Sequence, residues 1–232
     1  MALAFFVISM NIQFILASQS PRRRELFQLL GLPFQIQVAN ADEDSVTDPD
    51  PALNVVQTAR LKSAKIAAGL RAVASSPTII LAADTTVAFA GEMLNKPANA
   101  ADARQMLKRL RGTQHEVHTG VVLWEVGSGR EWHGVNTAVV TMRPYSDVEI
   151  DAYIATGDPF DKAGGYAIQH PQFKPVAQLQ GCYCNVMGLP VCDLILALAN
   201  FLEPAIVSQV DFTAVHQAHL HYPCPSLSQL TK

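Results

Sequence analysis

Strands and helices alternate at both ends of this chain, with an antiparallel strand pair set between them, and that order points to an α/β sheet with a cleft rather than a sandwich or a bundle. The chain opens with a buried strand over Ile12–Ala17, a turn over Ser18–Pro21 and a helix over Arg22–Leu30. Ser20 suits the N-cap of that helix, Pro21 its first turn and Gly31 the residue past its end. A short strand at Phe34–Val38 and an acidic loop at Asn40–Pro51 lead to a helix over Leu53–Leu70, whose apolar residues recur at helical spacing. Thr78–Phe89 reads as a long apolar strand interrupted by Asp84, and Ala100–Leu110 as an amphipathic helix. His115–Val126 and Glu131–Arg143 read as strands joined by a Gly-Ser-Gly turn. Ser146 and Glu149 form a capping-box signature for a helix to about Thr156. A strand at Val176–Cys184 and an apolar helix at Leu189–Leu202 close the pattern.

A chain of 232 residues fits one domain, or two lobes sharing a cleft, and buries a core without staples. Its 17 Lys and Arg against 20 Asp and Glu, net charge −3, argue against a general nucleic-acid binder. No apolar run reaches the ~18–20 residues that span a bilayer, so no membrane partner is expected. Met1–Met10 is apolar, but a secretory leader also needs a basic n-region and no Lys or Arg occurs before Arg22, so the segment reads as an extended first strand or an upstream extension with the usual start at Met10. The expectation is a cytoplasmic protein. Four cysteines without a CxxC are neither a disulfide scaffold nor a zinc framework, and Cys182 and Cys184, two apart on the expected strand, read as a reduced core pair. From Pro204 onward periodicity fades; His216, His219, His221 and Cys224 match no ordinary zinc spacing, and a surface tail is expected. The domain division is therefore an extension at 1–11, a domain at 12–203 and a tail at 204–232.

The segment Ser18-Gln19-Ser20-Pro21-Arg22-Arg23-Arg24 places three cations in the first turn of a helix, where the partial positive charge of the helix end disfavours them by roughly 0.3–1 kcal/mol each when exposed. A docked anion reverses every one of those signs: free backbone N–H groups, serine hydroxyls and guanidinium forks would all face a phosphate. The alternative is a solvated basic turn whose arginines pair with acids elsewhere.

Asp84 is the second conflict. A carboxylate within Ile79–Val87 must find a cation, hydrogen-bond donors or a metal. In open α/β sheets ligands gather beyond the strand ends, and a carboxylate there serves as general base or metal ligand; a structural aspartate that caps a loop or pairs with arginine is the other reading. Lys62, Lys96 and Lys162 are singly no more than surface charges. Asp42, Glu43 and Asp44 could hold a hard cation or stand as an exposed acidic loop.

In order along the chain, ILASQSPRRRELFQLLG, ADED, ARLKSAK, ILAADTTV, NKP, DARQMLKRLRGTQHEVHTGV, DPFDKAGGYAIQ and CNVMGLP resemble the Maf family of nucleotide pyrophosphatases, from about Ile12 to Leu202. The resemblance implies a Maf/inosine-triphosphate-pyrophosphatase-like α/β fold, a mixed sheet with two lobes around a central cleft. It implies hydrolysis of a nucleoside triphosphate to monophosphate and pyrophosphate with a divalent cation, Mg²⁺ or Mn²⁺. Ser18, Ser20, Arg22 and Arg23 would hold phosphates, and Lys62, Lys96 and Lys162 would contact the substrate. Asp84 would activate water. Glu43, Asp84 and Gln169 would form the metal shell. DKAGGYAIQ looks like the branch acting on dTTP and UTP, with CTP or modified pyrimidine nucleotides as further candidates. Ala82, Asn95 and Ala167 stand where the family commonly has glycine, each adding a side chain near the site. A nucleoside triphosphate is the expected partner, nucleic acid is not, and the family admits a homodimer. Two other classes remain: a nucleotidyltransferase gripping a triphosphate with the same basic turn, and a non-catalytic nucleotide-binding regulator of cell division.

Overall fold

Period-two alternation along the central strands divides their side chains between two apolar layers. In the computed structural model, which describes residues 12–70, 77–202, 204–219 and 222–230, β1 (Gln13–Leu16) and β3 (Thr78–Phe89) lie side by side and parallel. Phe14, Leu16, Ile79 and Leu81 face the larger core, whereas Ile15, Ile80 and Ala82 face a smaller one with Ala59, Ile66 and Ala67 of α2 (Pro51–Leu70). The remaining strands are β2 (Phe34–Ile36), β4 (Glu92–Leu94), β5 (Gln114–Val126), β6 (Glu131–Met142) and β7 (Val176–Gln180). The sheet runs β2-β1-β3-β5-β6-β7, with β4 on the far part of β3. Only the β1 pairings are parallel; β3 to β7 are antiparallel, so the sheet is mixed. The other helices are α1 (Pro21–Gln28), α3 (Ala100–Leu110), α4 (Asp147–Ala155), α5 (Tyr183–Met187), α6 (Val191–Phe201), α7 (Phe212–Ala218) and α8 (Leu227–Leu230). Among the described residues no helix is long and apolar enough to cross a membrane.

One gap in the sheet fixes where a ligand can go. β1 is registered with β3 only as far as Leu16 opposite Leu81, and β4 joins β3 only from Val87 onward. Between those points β3 pairs with β5 alone, and Asp84 and Thr85 sit on that open stretch. α2 crosses one face of the same stretch at close range. Gly120, the β5 partner of Asp84, has its missing Cβ position 2.7 Å from the backbone of Val55 and Val56, so only glycine permits the approach.

Several local expectations are met in detail. Ser20 caps α1 by accepting from Arg23 N, and Ser146 with Glu149 makes the full capping box at α4. Two differ. The expected strand Val176–Cys184 ends at Gln180: Gly181 takes φ 122°, breaking the strand, so Cys182 becomes the N-cap of α5 and Cys184 enters its first turn. The stretch after Pro204 is not a plain surface tail, since Ile206, Val210, Val215, His219 and Cys224 are all buried against the larger core. The readings of Met1–Met10 and of His221 fall outside the described residues.

Candidate active site

The helix cap at Ser20 turns α1 back over the end of β1 and sends its first arginines into the gap beside β3. There they border a cleft of about 780 Å³ whose walls include every residue to which the family resemblance gives a substrate or metal role: Ser18, Ser20, Arg22, Arg23, Glu43, Lys62, Asp84, Lys96, Lys162 and Gln169; of the acidic cluster Asp44 also lines it and Asp42 does not. Arg24, the third arginine of the run, does not reach it. Asn95 and Ala167 line the cleft as well, whereas Ala82 points into the smaller core and adds nothing to the site.

Consecutive β3 residues serve opposite faces. Asp84 points toward α2, where Lys62 Nζ lies 2.7 Å from its Oδ1 and 2.9 Å from Glu43 Oε2. Lys62 is buried, so two carboxylates balance one ammonium in a partly dry setting. Thr85 points the other way and accepts from Arg23 Nη2 at 3.0 Å, while Arg23 Nε donates to the Gly188 carbonyl at 2.8 Å. Thr85 in turn is 2.9 Å from Thr119, whose hydroxyl donates to the Asn185 carbonyl at 3.0 Å. Burial lowers the pKa of Arg23, an effect opposed by the nearby Asp84 carboxylate. No carboxylate among the described residues lies within ion-pair distance of Arg23, so its hydrogen bonds go to neutral oxygens.

Arg22 and Lys162 meet at Asp161. Arg22 Nη1 is 3.0 Å from Asp161 Oδ2, and Lys162 Nζ is 2.6 Å from Oδ1 of the same group and 2.8 Å from Asp158 Oδ1. Burial raises the pKa of Asp161, but Lys162 and Arg22 outweigh it and the net shift is downward. Lys96 is exposed on the rim with no ion-pair partner among the described residues, and Gln169 is exposed opposite. Beneath the wall residue Tyr166, buried His115 has its Nε2 2.7 Å from the Tyr166 hydroxyl, and burial pushes the His115 pKa down to about 4.

Thr85, Thr119, Gly188 and Asp161 are part of this arrangement and were not singled out from sequence. Asp161 adjoins Lys162 in DKAG and Thr85 follows Asp84, so both sat beside a visible signal. Gly188 contributes through its carbonyl, which no residue type advertises.

The family model for Maf-like proteins matches residues 13–201. A relative from Salinibacter ruber named dTTP/UTP pyrophosphatase is 45% identical over 85% of this chain and 95% of its own length. One of the same name from Thermomicrobium roseum is 44% identical over 76% of this chain and 78% of its own. The solved Staphylococcus aureus Ham1 protein aligns with 13% identity and a TM-score of 0.41, covering 83% of this chain and 99% of that one. With the family model spanning the whole sheet and the cleft, and relatives this similar over nearly their full length, the chain belongs to the Maf family.

Proposed function

We propose that this chain is a nucleoside triphosphate pyrophosphatase that hydrolyses dTTP and UTP to the monophosphate and pyrophosphate. The observation that carries this reading is Arg23: a partly buried guanidinium with only neutral partners, at the tip of a helix that already favours anions, opening on the same cleft as Asp84. The names of the 45% and 44% identical relatives supply the substrate class. Segment 161–169, whose sequence DKAGGYAIQ resembles the branch acting on dTTP and UTP, borders the cleft through Asp161, Lys162, Tyr166, Ala167 and Gln169.

A triphosphate carries about four negative charges. Arg22, Arg23, Lys62 and Lys96 offset them and hold the chain of phosphates in line, so positioning and charge stabilisation supply most of the rate. Attack of water on the α-phosphorus breaks its bond to the bridging oxygen, and pyrophosphate departs with that oxygen. Asp84 accepts the water proton. Its Oδ1 is oriented by Lys62, 2.7 Å away, at the edge of the cleft.

The donor set fits a hard divalent cation. Glu43 and Asp84 both reach the same cation, the Lys62 ammonium, at 2.9 and 2.7 Å, so two hard carboxylate oxygens already converge on one positive charge, and Gln169 lines the same cleft. Mg²⁺ or Mn²⁺ held there would neutralise phosphate charge and lower the pKa of bound water.

The test is a pyrophosphate-release screen over ordinary and modified nucleoside triphosphates, with Mg²⁺, Mn²⁺ and Co²⁺ and no second substrate. Release from dTTP and UTP above all others is expected. Turnover only when an acceptor is added would instead identify a nucleotidyltransferase, and binding of dTTP without release would identify a regulator.

A further inference from the structure

All four cysteines of the chain are reduced and buried, and they gather around one histidine. Cys182 starts α5, Cys192 lies in the first turn of α6, His219 ends α7 and Cys224 precedes α8. The ligand atoms of Cys182, His219 and Cys224 all fall within 4.8 Å of one another. Cys182 Sγ and Cys192 Sγ each lie 3.5 Å from His219 Nε2.

The ring is already oriented for a ligand. His219 Nδ1 is 2.8 Å from the Val215 carbonyl, which can only accept, so Nδ1 carries the proton and Nε2 presents its lone pair to the sulfurs. One lone pair does not satisfy two thiols. A histidine whose other nitrogen donates to a backbone carbonyl is the usual arrangement of a metal-bound imidazole. The spacing of Cys182 and Cys192 from Nε2 agrees too, since a tetrahedron with Zn–S of about 2.3 Å and Zn–N of about 2.0–2.1 Å has S···N edges of about 3.5–3.6 Å; Cys192 joins the Cys182–His219–Cys224 group through this ring contact. Cys184 approaches the ring from the wrong side, 4.0 Å from the occupied Nδ1.

We infer that Cys182, Cys192, Cys224 and His219 Nε2 form a structural zinc site that fastens the C-terminal segment to the Maf domain. Three thiolates and an imidazole are the donors of a closed, non-catalytic site, and their full burial leaves no position for substrate. The segment needs such a fastening. It supplies one seven-residue helix and one four-residue helix, too little to hold itself in place by helix formation.

Metal analysis of the full-length protein, expressed with zinc and desalted, tests the site directly. About one zinc per chain is expected, with chelation lowering the melting temperature. Cys224→Ser and Cys182→Ser should each lose the ion, and Cys184→Ser should keep it. Should the serine variants not fold, cobalt loading of the wild-type chain replaces them: a tetrahedral cobalt spectrum with thiolate charge transfer is expected. Less than about a tenth of a zinc per chain, both as purified and after refolding with zinc, overturns the site, as does retention of full zinc by soluble Cys224→Ser.

Discussion

The cleft and the cysteine pocket are built from opposite materials. In the cleft, charges come in compensating sets: Lys62 between Glu43 and Asp84, and Asp161 between Arg22 and Lys162. These groups are mostly half-exposed and can exchange one partner for another, which a substrate carrying its own charge requires. In the cysteine pocket sulfurs gather around one imidazole, and all the donors are closed off from water. A ligand there is permanent. The contrast shows how one fold separates a site that must release its occupant from one that must not.

The sharpest break in the comparison is Asp84→Asn. The variant removes the proton acceptor but leaves Lys62 paired with Glu43, so no buried cation is stranded and the fold should persist. Turnover should drop by at least about 100-fold while dTTP binding survives. Calorimetric binding beside a pyrophosphate-release assay measures both, and near-wild-type release removes Asp84 from the chemistry.

His115 and His219 sharpen the same contrast, because both are buried but only one is surrounded by sulfur. His115 has a folded pKa pushed down to about 4 by burial, and its Nδ1 has no partner. An unfolded chain holds a proton on this ring below about pH 6.5 while the folded one does not, so stability is complete above that pH and falls as pH drops from about 6.5 toward 4. The loss should be on the order of 2–3 kcal/mol across that window. Urea unfolding of His115→Gln at pH 7.5, 6 and 5 should show a flatter profile than the parent; an equal slope assigns the acid sensitivity elsewhere.

The cleft was open to reading from sequence because its residues contradict their local surroundings. Three arginines at a helix tip and an aspartate inside Ile79–Val87 are each costly where they stand, and a cost with no local compensation implies a partner in space. Strand and helix order was equally visible, since caps such as Ser20 and Ser146 act within a few residues. Other features depended on contacts between distant segments. Gly120 looks like any strand glycine until α2 is laid across it. The ring of Cys182, Cys192, His219 and Cys224 has no spacing rule because four separate segments deliver its members, two of them beyond the 13–201 family span. The two-residue spacing that predicts Cys182 and Cys184 on one strand face fails because the strand ends at Gly181, at φ 122°, with no signal beyond the glycine itself.

Arg22 gives the smallest of these effects, and the most informative about how the cleft shares charge. In the free protein its guanidinium pairs with Asp161, so substrate must compete with a carboxylate that Lys162 also holds. Arg22→Ala removes one phosphate contact but relieves that competition only in part, since Lys162 keeps Asp161 and Asp158 engaged. KM for dTTP should rise by about tenfold, the scale of one exposed charge-assisted contact, with kcat nearly unchanged. Asp161→Asn should move KM the other way, because it frees Arg22 for the triphosphate while leaving Lys162 paired with Asp158. Steady-state kinetics of both variants separate the two effects. Equal KM values in parent and Arg22→Ala would mean that Arg22 belongs to the wall of the cleft and that Arg23 alone, with its neutral partners, receives the phosphates at the helix tip.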